Sequence, residues 1–495
     1  MLLAGSAPEG AGKAQRRYPY SACDRDANQV FSLLGSVTAT KLSAGGRLPR
    51  QPILRSNRRG RPRRGAGSDR LILRDPVHGL IAFESDEDAI VPRLLETAEV
   101  QRLRRIKQLG VTSLAFPGAE HTRFAHAIGA AHVMKRLIRR LRECEGDLPA
   151  WQRISADRAR EALAAAFLHD VGHGPLSHLF EDALPNAPRH EEWTSRIVLD
   201  PASEVHRVLA AESKDLPARV AELVHGRHEL PYLASAVSGT FDVDRCDYLL
   251  RDAHATGVRY GEYDLDWLFR SLRFAPTQPE HPPALAIDGA KGLVSIEEFI
   301  LARLFMFQQV YFHKSTRAAE WMIRAILRRA GALLRDGVSL PSTPAALSKM
   351  ASFGEASLSE YLELDDVQLW TAMRAWESSR DPILSDLTQR LRSRALFKTA
   401  EVEPGEPAER ALEIAREIAQ NASLDPDLYV GIDIAETIPF SEGDDPLVVV
   451  YANGVTRKPG DVSFLLGRLR GERLVRARLI FAKELRDPIT RALGT

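Results

Sequence analysis

Three histidines and an aspartate lie close together in the stretch FLHDVGHGPLSH, residues 167–178. His169 and Asp170 follow an apolar run that predicts a buried helix, where an unpaired carboxylate would be costly to desolvate. A divalent metal ion would compensate that charge, because an imidazole and a carboxylate from adjacent residues can reach one ion. Taken alone, the pair favours a helix end with polar capping groups, since a His-Asp pair is common by chance. The stretch by itself therefore does not establish a metal site.

A second group of polar residues lies in DVDRCDYLLRD, residues 242–252. Asp244, Tyr248 and Asp252 are spaced by four residues, so they share one face of a predicted helix, with Arg245 beside the first. Carboxylates, a phenol and a guanidinium on one face suit a polar ligand. A solvated face with salt bridges is the alternative, although the apolar neighbours of these residues argue against it.

A third group lies in LARLFMFQQVYFHK, residues 301–314. Arg303, Phe307 and Tyr311 share a helical face, and Lys314 is predicted one turn later. Cations beside aromatic rings would hold phosphates next to a sugar or a base.

The elements that would position these residues are mostly helical. From Leu94 to about residue 340 the apolar residues recur at helical spacing, and HTRFAHAIGAAHVMKRLIRRL predicts a central helix. In SADRAREALAAAFLHD, Ser155 is a plausible N-cap, and Gly172 and Gly174 end the helix just after the His-Asp pair. LILRDPVHGLIAF predicts a hairpin or turn, and short helices continue to about residue 425. DLYVGIDIAET, PLVVVYANG and ERLVRARLIFAKE then read as strands.

Composition excludes other classes of protein. The chain has 495 residues, 44% of them hydrophobic, and can bury a large core. No apolar run approaches the roughly 18 residues needed to cross a bilayer, so we expect a cytoplasmic protein with no membrane partner. The three cysteines, Cys23, Cys144 and Cys246, are far apart without a CxxC motif, which argues against a disulfide framework and a thiolate zinc site.

The basic charge of the chain is concentrated at its start. Residues 1–70 carry 14 Lys and Arg against 4 Asp and Glu, a net charge of +10, whereas the whole chain has +1. This segment is rich in Gly, Pro, Ser and Arg without a helical or strand period, which predicts a mostly disordered extension. It could contact nucleic acid or another polyanion. A solvated arm, or a start codon placed too far upstream, is the favoured alternative.

Five blocks of the sequence carry a resemblance to a known family: QRLRRIKQLG, FPGAEHTRFAH, FLHDVGHGPLSH, DVDRCDYLLRD and YFHK. In this order and at these separations they resemble the HD-domain deoxynucleoside triphosphate (dNTP) triphosphohydrolases, most of all the branch with the SAM-and-HD-domain enzyme and its bacterial relatives. The resemblance covers residues 70–335 strongly and the C-terminal strands weakly. With the patterning, it predicts a mainly α fold, with an HD-domain helical core and a small α+β C-terminal subdomain.

The resemblance implies a metal site made of His126, His169, Asp170 and Asp244. Two imidazoles and two carboxylates, completed by water or phosphate oxygens, suit an octahedral ion better than structural zinc. The expected cofactor is a divalent ion, Mn²⁺, Fe²⁺ or Mg²⁺, with Zn²⁺ as a further candidate. Such an ion would polarise a phosphoryl oxygen and activate a water that attacks the α-phosphorus, releasing deoxynucleoside and tripolyphosphate.

The same resemblance implies acid–base roles for three more histidines. His178 resembles the residue that protonates the departing 5′ oxygen, and His173 and His190 resemble its supporting set. Two alternatives stay open, because His173 could simply cap the helix end and His190 could lack a catalytic role.

Nine residues match substrate contacts of the family. Gln108 and Asp252 match the pair that reads the sugar 3′-hydroxyl, and Leu109 and Tyr311 would pack under the sugar, which favours deoxyribose. Charge-assisted bonds would offset the charge of the triphosphate. The residues that match these contacts are Arg123, Arg245, Tyr248, Arg303 and Lys314.

Relatives are assembled into tetramers by nucleotides at allosteric sites, and this chain matches those sites in part. Gln101 and Arg104 agree with the guanine-reading set, whereas Glu96 replaces an aspartate and Trp267 replaces a phosphate-binding arginine. Glu96 can still accept two N–H bonds from guanine. We therefore expect a homo-oligomer, dimer or tetramer, and treat activation by GTP or dGTP as a hypothesis. The SAM domain of the relatives has no counterpart before the HD region.

Two other functions remain open. A phosphohydrolase acting on nucleoside monophosphates or cyclic nucleotides would keep the metal site but would not need Arg123, Arg303 and Lys314. A regulator that binds nucleotides or nucleic acid would use the basic extension. The predicted domains are the extension 1–70, an HD core 71–335, a helical extension 336–425 and an α+β subdomain 426–495.

Overall fold

The computed structural model describes residues 70–494, with gaps at 147, 185, 276–282 and 443–446. The extension predicted at residues 1–70 lies outside the described residues, apart from the exposed Arg70. Among the described residues, no helix combines the length and the apolar character needed to cross a bilayer.

Helices dominate the described part of the chain, which confirms the prediction of a mainly α fold. The first twelve are α1 (Ile90–Leu95), α2 (Ala98–Arg102), α3 (Arg123–Cys144), α4 (Ala156–Leu168), α5 (His178–Ala183), α6 (His190–Leu199), α7 (Glu204–Glu212), α8 (Leu216–Val224), α9 (Pro231–Ser238), α10 (Val243–Thr256), α11 (Leu265–Ser271) and α12 (Leu293–Met306). Nine more follow: α13 (Lys314–Arg335), α14 (Ala345–Phe353), α15 (Leu358–Leu362), α16 (Asp366–Trp376), α17 (Pro382–Arg392), α18 (Glu406–Asn421), α19 (Pro459–Val462), α20 (Phe464–Leu469) and α21 (Arg486–Leu493). Short 3₁₀ helices lie at Leu103–Arg105, Thr112–Leu114, Ala150–Gln152 and Lys483–Leu485, and a π-helical segment lies at Phe307–Tyr311.

The two helices that carry the central motifs begin with the caps their sequences provide. Ser155 Oγ accepts a hydrogen bond from the Arg158 backbone N–H at 3.3 Å, so α4 begins where the sequence predicts and ends just before the His-Asp pair. Asp242 accepts from the Arg245 N–H at 2.7 Å at the start of α10. Gly257 ends α10 with φ +76°, a left-handed conformation that favours glycine.

In the described part of the chain, nine strands form three small sheets. The strands are β1 (Leu71–Asp75), β2 (Gly79–Phe83), β3 (Leu272–Phe274), β4 (Leu285–Asp288), β5 (Lys398–Val402), β6 (Val430–Thr437), β7 (Val448–Val450), β8 (Thr456–Arg457) and β9 (Leu474–Phe481). β1 and β2 form an antiparallel hairpin, as predicted. A second sheet has the order β3-β4-β7-β8 and a third the order β5-β9-β6.

The strands predicted after residue 425 are present, but they do not belong to one sheet. β6 and β9 pair with β5, whereas β7 pairs in parallel with β4. β7 thereby covers an edge strand that would otherwise expose unpaired backbone groups. The α+β region therefore differs from the prediction, because part of it completes a sheet that begins near residue 272.

The buried apolar residues form two cores. The first lies mainly among α3, α4, α8 and α10, and the second lies among α13, α14, α16, α17 and the β5-β9-β6 sheet. The predicted boundary at 335 does not coincide with this division, because the apolar face of α13 belongs to the second core. The stretch between α4 and α5 passes from the first core at Val171 to the second at Leu176.

Candidate active site

The four predicted metal ligands come from three parts of the chain, and the ligand atoms of His126, His169 and Asp170 lie within 4.8 Å of one another, with Asp244 beside the two histidines. His126 lies in the first turn of α3, His169 and Asp170 follow α4, and Asp244 lies in the first turn of α10. His126 Nε2 lies 3.0 Å from Asp244 Oδ1, 3.3 Å from His169 Nε2 and 3.7 Å from Asp170 Oδ2. His169 Nε2 lies 3.5 Å from oxygens of both aspartates. Atoms that share one octahedral ion at about 2.1 Å lie about 3 Å apart when adjacent, so these separations fit a divalent metal.

The hydrogen bonds of the two imidazoles also fit metal binding. His126 Nδ1 lies 2.8 Å from Asp247 Oδ2, and His169 Nδ1 lies 2.9 Å from the Ala166 carbonyl oxygen. Because each Nδ1 faces an acceptor, it carries a proton, and Nε2 is the nitrogen that faces the centre and would bind an ion after losing its own proton. Burial alone would lower the pKa of His126, but hydrogen bonds with Asp244 and Asp247 raise it to about 10. The centre therefore attracts positive charge.

Beside the metal ligands lies a cluster of three histidines and a glutamate. The rings of His173 and His190 stack at 3.9 Å, and the ring of His178 lies 5.0 Å from each. Glu181 Oε1 accepts a hydrogen bond from His190 Nδ1 at 2.9 Å, and its other oxygen lies 3.6 Å from His178 Nδ1. His173 Nε2 lies 3.2 Å from Asp170 Oδ1, which joins this cluster to the metal ligands.

Within this cluster, the surroundings shift the pKa values of Glu181 and His173. Burial tends to raise the pKa of Glu181, but hydrogen bonds with His178 and His190 hold it well below its usual value. Burial and the charge of Arg123 lower the pKa of His173 well below its usual value. His173 is therefore neutral near pH 7, while Glu181 is ionised and orients His190.

A strained turn places His178 at the start of α5. Leu176 and Ser177 have φ values of +55° and +59°, a region in which a residue other than glycine costs about 1–3 kcal/mol. Two contacts hold the turn: Leu176 N–H donates to Asp366 Oδ1 at 2.8 Å, and Ser177 Oγ accepts from Arg123 Nε at 2.8 Å. Arg123 also pairs with the Asp170 carboxylate. The turn is therefore bonded to α3 of the first core through Arg123 and to α16 of the second core through Asp366.

Two adjacent cavities open at this centre. The central cavity, of about 350 Å³, is lined by ten predicted site residues, Gln108, Arg123, His169, Asp170, His173, His178, His190, Asp244, Arg245 and Tyr248, and by five others, Glu191, Val224, Val237, Ser238 and Asp242. The second cavity, of about 260 Å³, shares Gln108, Arg123 and His178 with the first and is also lined by Leu109, Phe307, Tyr311 and Phe312. A chamber lined by histidines, carboxylates and two arginines therefore adjoins a partly apolar one.

Comparison with known proteins agrees with this geometry. Residues 123–252 match the HD domain model, and residues 343–493 match the HD associated region model. YwfO, an uncharacterized protein of Bacillus subtilis, is 34% identical over 85% of this chain and 94% of its own length. A phosphohydrolase structure from Bacteroides thetaiotaomicron has a TM-score of 0.70 and 30% identity, over 83% of this chain and 99% of that one.

A relative with a named activity matches over a shorter part. The deoxynucleoside triphosphate triphosphohydrolase SAMHD1 homolog of Dictyostelium discoideum is 27% identical over 66% of this chain and 59% of its own length. The chain belongs to the HD-domain dNTP triphosphohydrolase-like family. The resemblance in the five sequence blocks is thereby confirmed.

In this HD-family chain, the predicted sugar contacts Asp252 and Tyr311 are bonded to each other. Tyr311 Oη donates to Asp252 Oδ2 at 2.7 Å, and Asp252 Oδ1 lies 2.8 Å from His121 Nε2. Asp252 is 2% exposed and does not line the central cavity, whereas Tyr311 lines the second one. Asp252 thus lies behind the tyrosine ring.

Two predicted phosphate contacts line neither of these cavities, although Arg303 is hydrogen-bonded to Tyr248, which lines the central one. Arg303 lines neither cavity, and its Nη1 donates to the Pro439 carbonyl at 2.9 Å. Lys314 lines a separate cavity of about 610 Å³ together with Arg394, Lys398 and Arg486. The predicted continuous helix is interrupted here, because α12 gives way to the π-helical segment and α13 begins anew at Lys314. Arg303, Phe307 and Tyr311 still contact one another in turn, because the Arg303 guanidinium lies 5.6 Å from the ring centre of Phe307 and the rings of Phe307 and Tyr311 lie 5.0 Å apart. Lys314 is the residue of this group that faces another cavity.

The three residues predicted to bind an activator lie at or near the surface, outside both central cavities. Arg104 Nε donates to Gln101 Oε1 at 2.8 Å, and its guanidinium lies 3.6 Å from the ring centre of Phe124. Glu96 is the exposed C-cap of α1. Trp267 is 44% exposed and its ring N–H donates to the Lys291 carbonyl at 3.0 Å.

Sequence analysis missed Glu181, Asp247 and His121. Glu181 follows His178 by three residues, and Asp247 follows Asp244 by three, so both lie on the helical faces that carry the motifs. That spacing was the available signal for both residues. His121 has no comparable signal, because its partner lies 131 positions away in the sequence.

Proposed function

We propose that this chain hydrolyses dNTPs to deoxynucleoside and tripolyphosphate with the help of a divalent metal ion. Membership of the HD phosphohydrolase family supports hydrolase activity. The observation that carries the finer proposal is the central cavity, in which three of the four candidate metal ligands, three further histidines and two arginines line one volume. The name of the Dictyostelium relative agrees with this substrate class.

The residues of the cavity divide the work of this reaction. A bound ion would supply Lewis-acid polarisation of a phosphoryl oxygen and activation of water. Arg123 and Arg245 bind the triphosphate through charge-assisted hydrogen bonds, with Tyr248 beside them. His178, whose side chain is 64% exposed, holds the proton for the departing 5′ oxygen, and His190 is oriented by Glu181.

The second cavity supports binding of the deoxynucleoside. Leu109 and Tyr311 line this cavity and would offer apolar surface to the sugar, as the resemblance to the family implies. Gln108 lines both cavities, and its Oε1 is buried without a hydrogen-bond partner. It is therefore placed to accept a hydrogen bond from a sugar hydroxyl.

The test is direct. Purified protein is incubated with each of the four dNTPs and Mn²⁺ or Mg²⁺, with and without GTP or dGTP, and the products are identified by ³¹P NMR. Intact tripolyphosphate is expected, and release of orthophosphate or pyrophosphate alone contradicts the mechanism. Full activity of an Asp170→Ala variant contradicts the metal assignment. Asp215→Ala, which changes an exposed aspartate without a side-chain cap bond, is the matched control.

The proposal extends to partners and location. We further propose that the protein forms a homo-oligomer, either a dimer or a tetramer, in the cytoplasm. GTP or dGTP would activate it by binding at Glu96, Gln101 and Arg104. Light scattering with and without GTP tests the assembly. A monophosphatase or cyclic nucleotide hydrolase would instead act on the corresponding substrates in the same assay.

A further inference from the structure

Behind the metal ligands lies a buried group that we call the Asp247 cluster, made of Asp75, His78, Asp247 and Arg251. Asp247 is 0% exposed and Arg251 is 2% exposed. The side chains of His78 and Asp75 are 3% and 8% exposed. The cluster touches the candidate centre through His126, whose Nδ1 lies 2.8 Å from Asp247 Oδ2.

The carboxylate of Asp247 has partners on both oxygens. Oδ1 lies 2.6 Å from His78 Nε2 and accepts from Arg251 Nη2 at 2.8 Å. Oδ2 accepts from Arg251 Nε at 2.8 Å and faces His126 Nδ1. With four contacts on two oxygens, Asp247 has no position left for a metal ion. Asp247 therefore contacts the candidate metal centre through His126.

The cluster is tied to the β1–β2 hairpin. Asp75, the last residue of β1, accepts from Arg251 Nη1 at 2.8 Å through Oδ2. Its Oδ1 accepts from the backbone N–H groups of Val77 and His78 at 2.9 Å each. The turn is thereby held in the shape that directs His78 at Asp247. A hairpin that lines neither substrate cavity thus supports a metal ligand.

Gly129 in α3 leaves room for the Asp247 cluster to approach the helix backbone. A Cβ on Gly129, which follows His126 by three residues, would overlap the Asp247 carboxylate and the Arg251 guanidinium. Glycine in a helix interior is unfavourable by about 1 kcal/mol relative to alanine. Its presence here is explained by the close approach of the cluster.

We propose that Asp247, held by His78 and Arg251, is a positioning residue that fixes the ring and tautomer of His126 and thereby sets the metal affinity. The physical reason is that a ligand imidazole needs its proton on the nitrogen facing away from the ion, and a carboxylate acceptor holds it there. The inference rests on the metal assignment in the proposed function. Loss of such support typically weakens metal binding about 10- to 100-fold.

The experiment measures Mn²⁺ binding to the metal-free full chain by calorimetry, without nucleotide. Asp247→Asn is expected to raise the Kd for Mn²⁺ about 10- to 100-fold. His78→Leu should raise Kd by a smaller factor, because it removes one of the contacts that hold the carboxylate. His78→Gln should restore most of the affinity, since its amide N–H₂ can donate to Asp247.

A matched control is His132→Leu. His132 lies in α3, and its ring lies 5.3 Å from the ring of His78. Unlike His78, it makes no hydrogen bond with Asp247. This variant should bind Mn²⁺ with the wild-type Kd. A wild-type Kd in both His78→Leu and Asp247→Asn overturns the inference, as does an equal loss in His78→Leu, His78→Gln and His132→Leu.

The His78 and His132 variants keep the test decisive if Asp247→Asn does not fold. Wild-type protein that binds Mn²⁺ but hydrolyses no dNTP contradicts the proposed function while leaving the positioning role intact. Wild-type protein that binds no Mn²⁺ overturns the positioning role together with the metal assignment.

Discussion

At the scale of single residues, Glu181 connects the histidines beside the metal ligands. It is bonded to His190 at 2.9 Å and lies 3.6 Å from His178, and its carboxylate is 6% exposed. A buried carboxylate that faces two imidazoles fixes which ring nitrogens carry protons. The proposed proton donor therefore depends on a residue that need not touch the substrate.

We predict that Glu181→Gln lowers kcat for dNTP hydrolysis about 100-fold or more, since acid–base groups contribute about 10²–10⁴-fold. The amide removes the negative charge that orients His190 but keeps the side-chain size. Steady-state kinetics measure the loss, and Mn²⁺ affinity should not change. Glu192→Gln is the control, because Glu192 lies on the same helix but does not line the central cavity, and its side chain is 54% exposed and pairs with Arg196. Equal losses in the two variants would refute this role.

The metal ligands carry a second prediction at this scale. Metal-free protein should gain thermal stability on addition of Mn²⁺, by about 2.7 kcal/mol at 100 times the Kd, because the ion binds the folded state. Scanning fluorimetry measures the rise in Tm. Asp244→Ala should show no such rise, whereas the exposed Asp215→Ala should respond like the wild type. A rise in Tm that persists in Asp244→Ala would place the ion elsewhere.

At the scale of elements, α6 docks closely on the turn that follows α4. The Gly172 backbone N–H donates to Thr194 Oγ1 at 3.0 Å, and its carbonyl accepts from Tyr361 Oη at 2.7 Å. A Cβ on Gly172 would overlap backbone atoms of His190 and Thr194. The position of His190 over His173 therefore depends on a glycine in the adjacent turn.

Gly172→Ala should consequently displace α6 and lower kcat at least 10-fold, while the Kd for Mn²⁺ changes less, because α6 carries no metal ligand. Kinetics and calorimetry on the same preparation separate the two effects. Gly331→Ala is the matched control, since a Cβ there meets its nearest neighbour at an ordinary 3.4 Å within α13. That variant should keep its activity and gain up to about 1 kcal/mol of stability. Full activity of Gly172→Ala would contradict the docking argument.

At the scale of the whole molecule, the candidate site lies between the two cores. α5, which begins at His178, packs on the second core, whereas the metal ligands of α3 and α10 belong to helices of the first. Packing of the two cores therefore determines how the proposed acid–base set faces the metal ligands.

The basic extension is expected to be separate from this arrangement. Deletion of residues 1–69 should leave dNTP turnover within about twofold, because all the proposed site residues lie beyond it, and should remove any salt-sensitive affinity for polynucleotide. Kinetics and binding at several salt concentrations measure both. A truncated protein that loses turnover while remaining folded would assign the extension a role in catalysis.

Local patterns in the sequence predicted the helices well. The apolar spacing of α3, the Ser155 cap of α4 and the hairpin near residue 75 depend on neighbouring residues, and all three are present. The order of the five blocks also predicted the family. The candidate metal ligands could be named together because each lies in a motif that the resemblance supplies.

Long-range packing decided the rest, because it joins residues whose separation in sequence carries no signal. β7 completes the sheet of β3 and β4. The π-helical segment interrupts the helix, and Lys314 consequently lines another cavity. Asp247 and His78 meet across 169 positions, so only the folded chain reveals the support of His126. The sequence by itself therefore determined the helices, the family and the residue types of the site. Tertiary structure determined which of those residues share a volume and what holds them there.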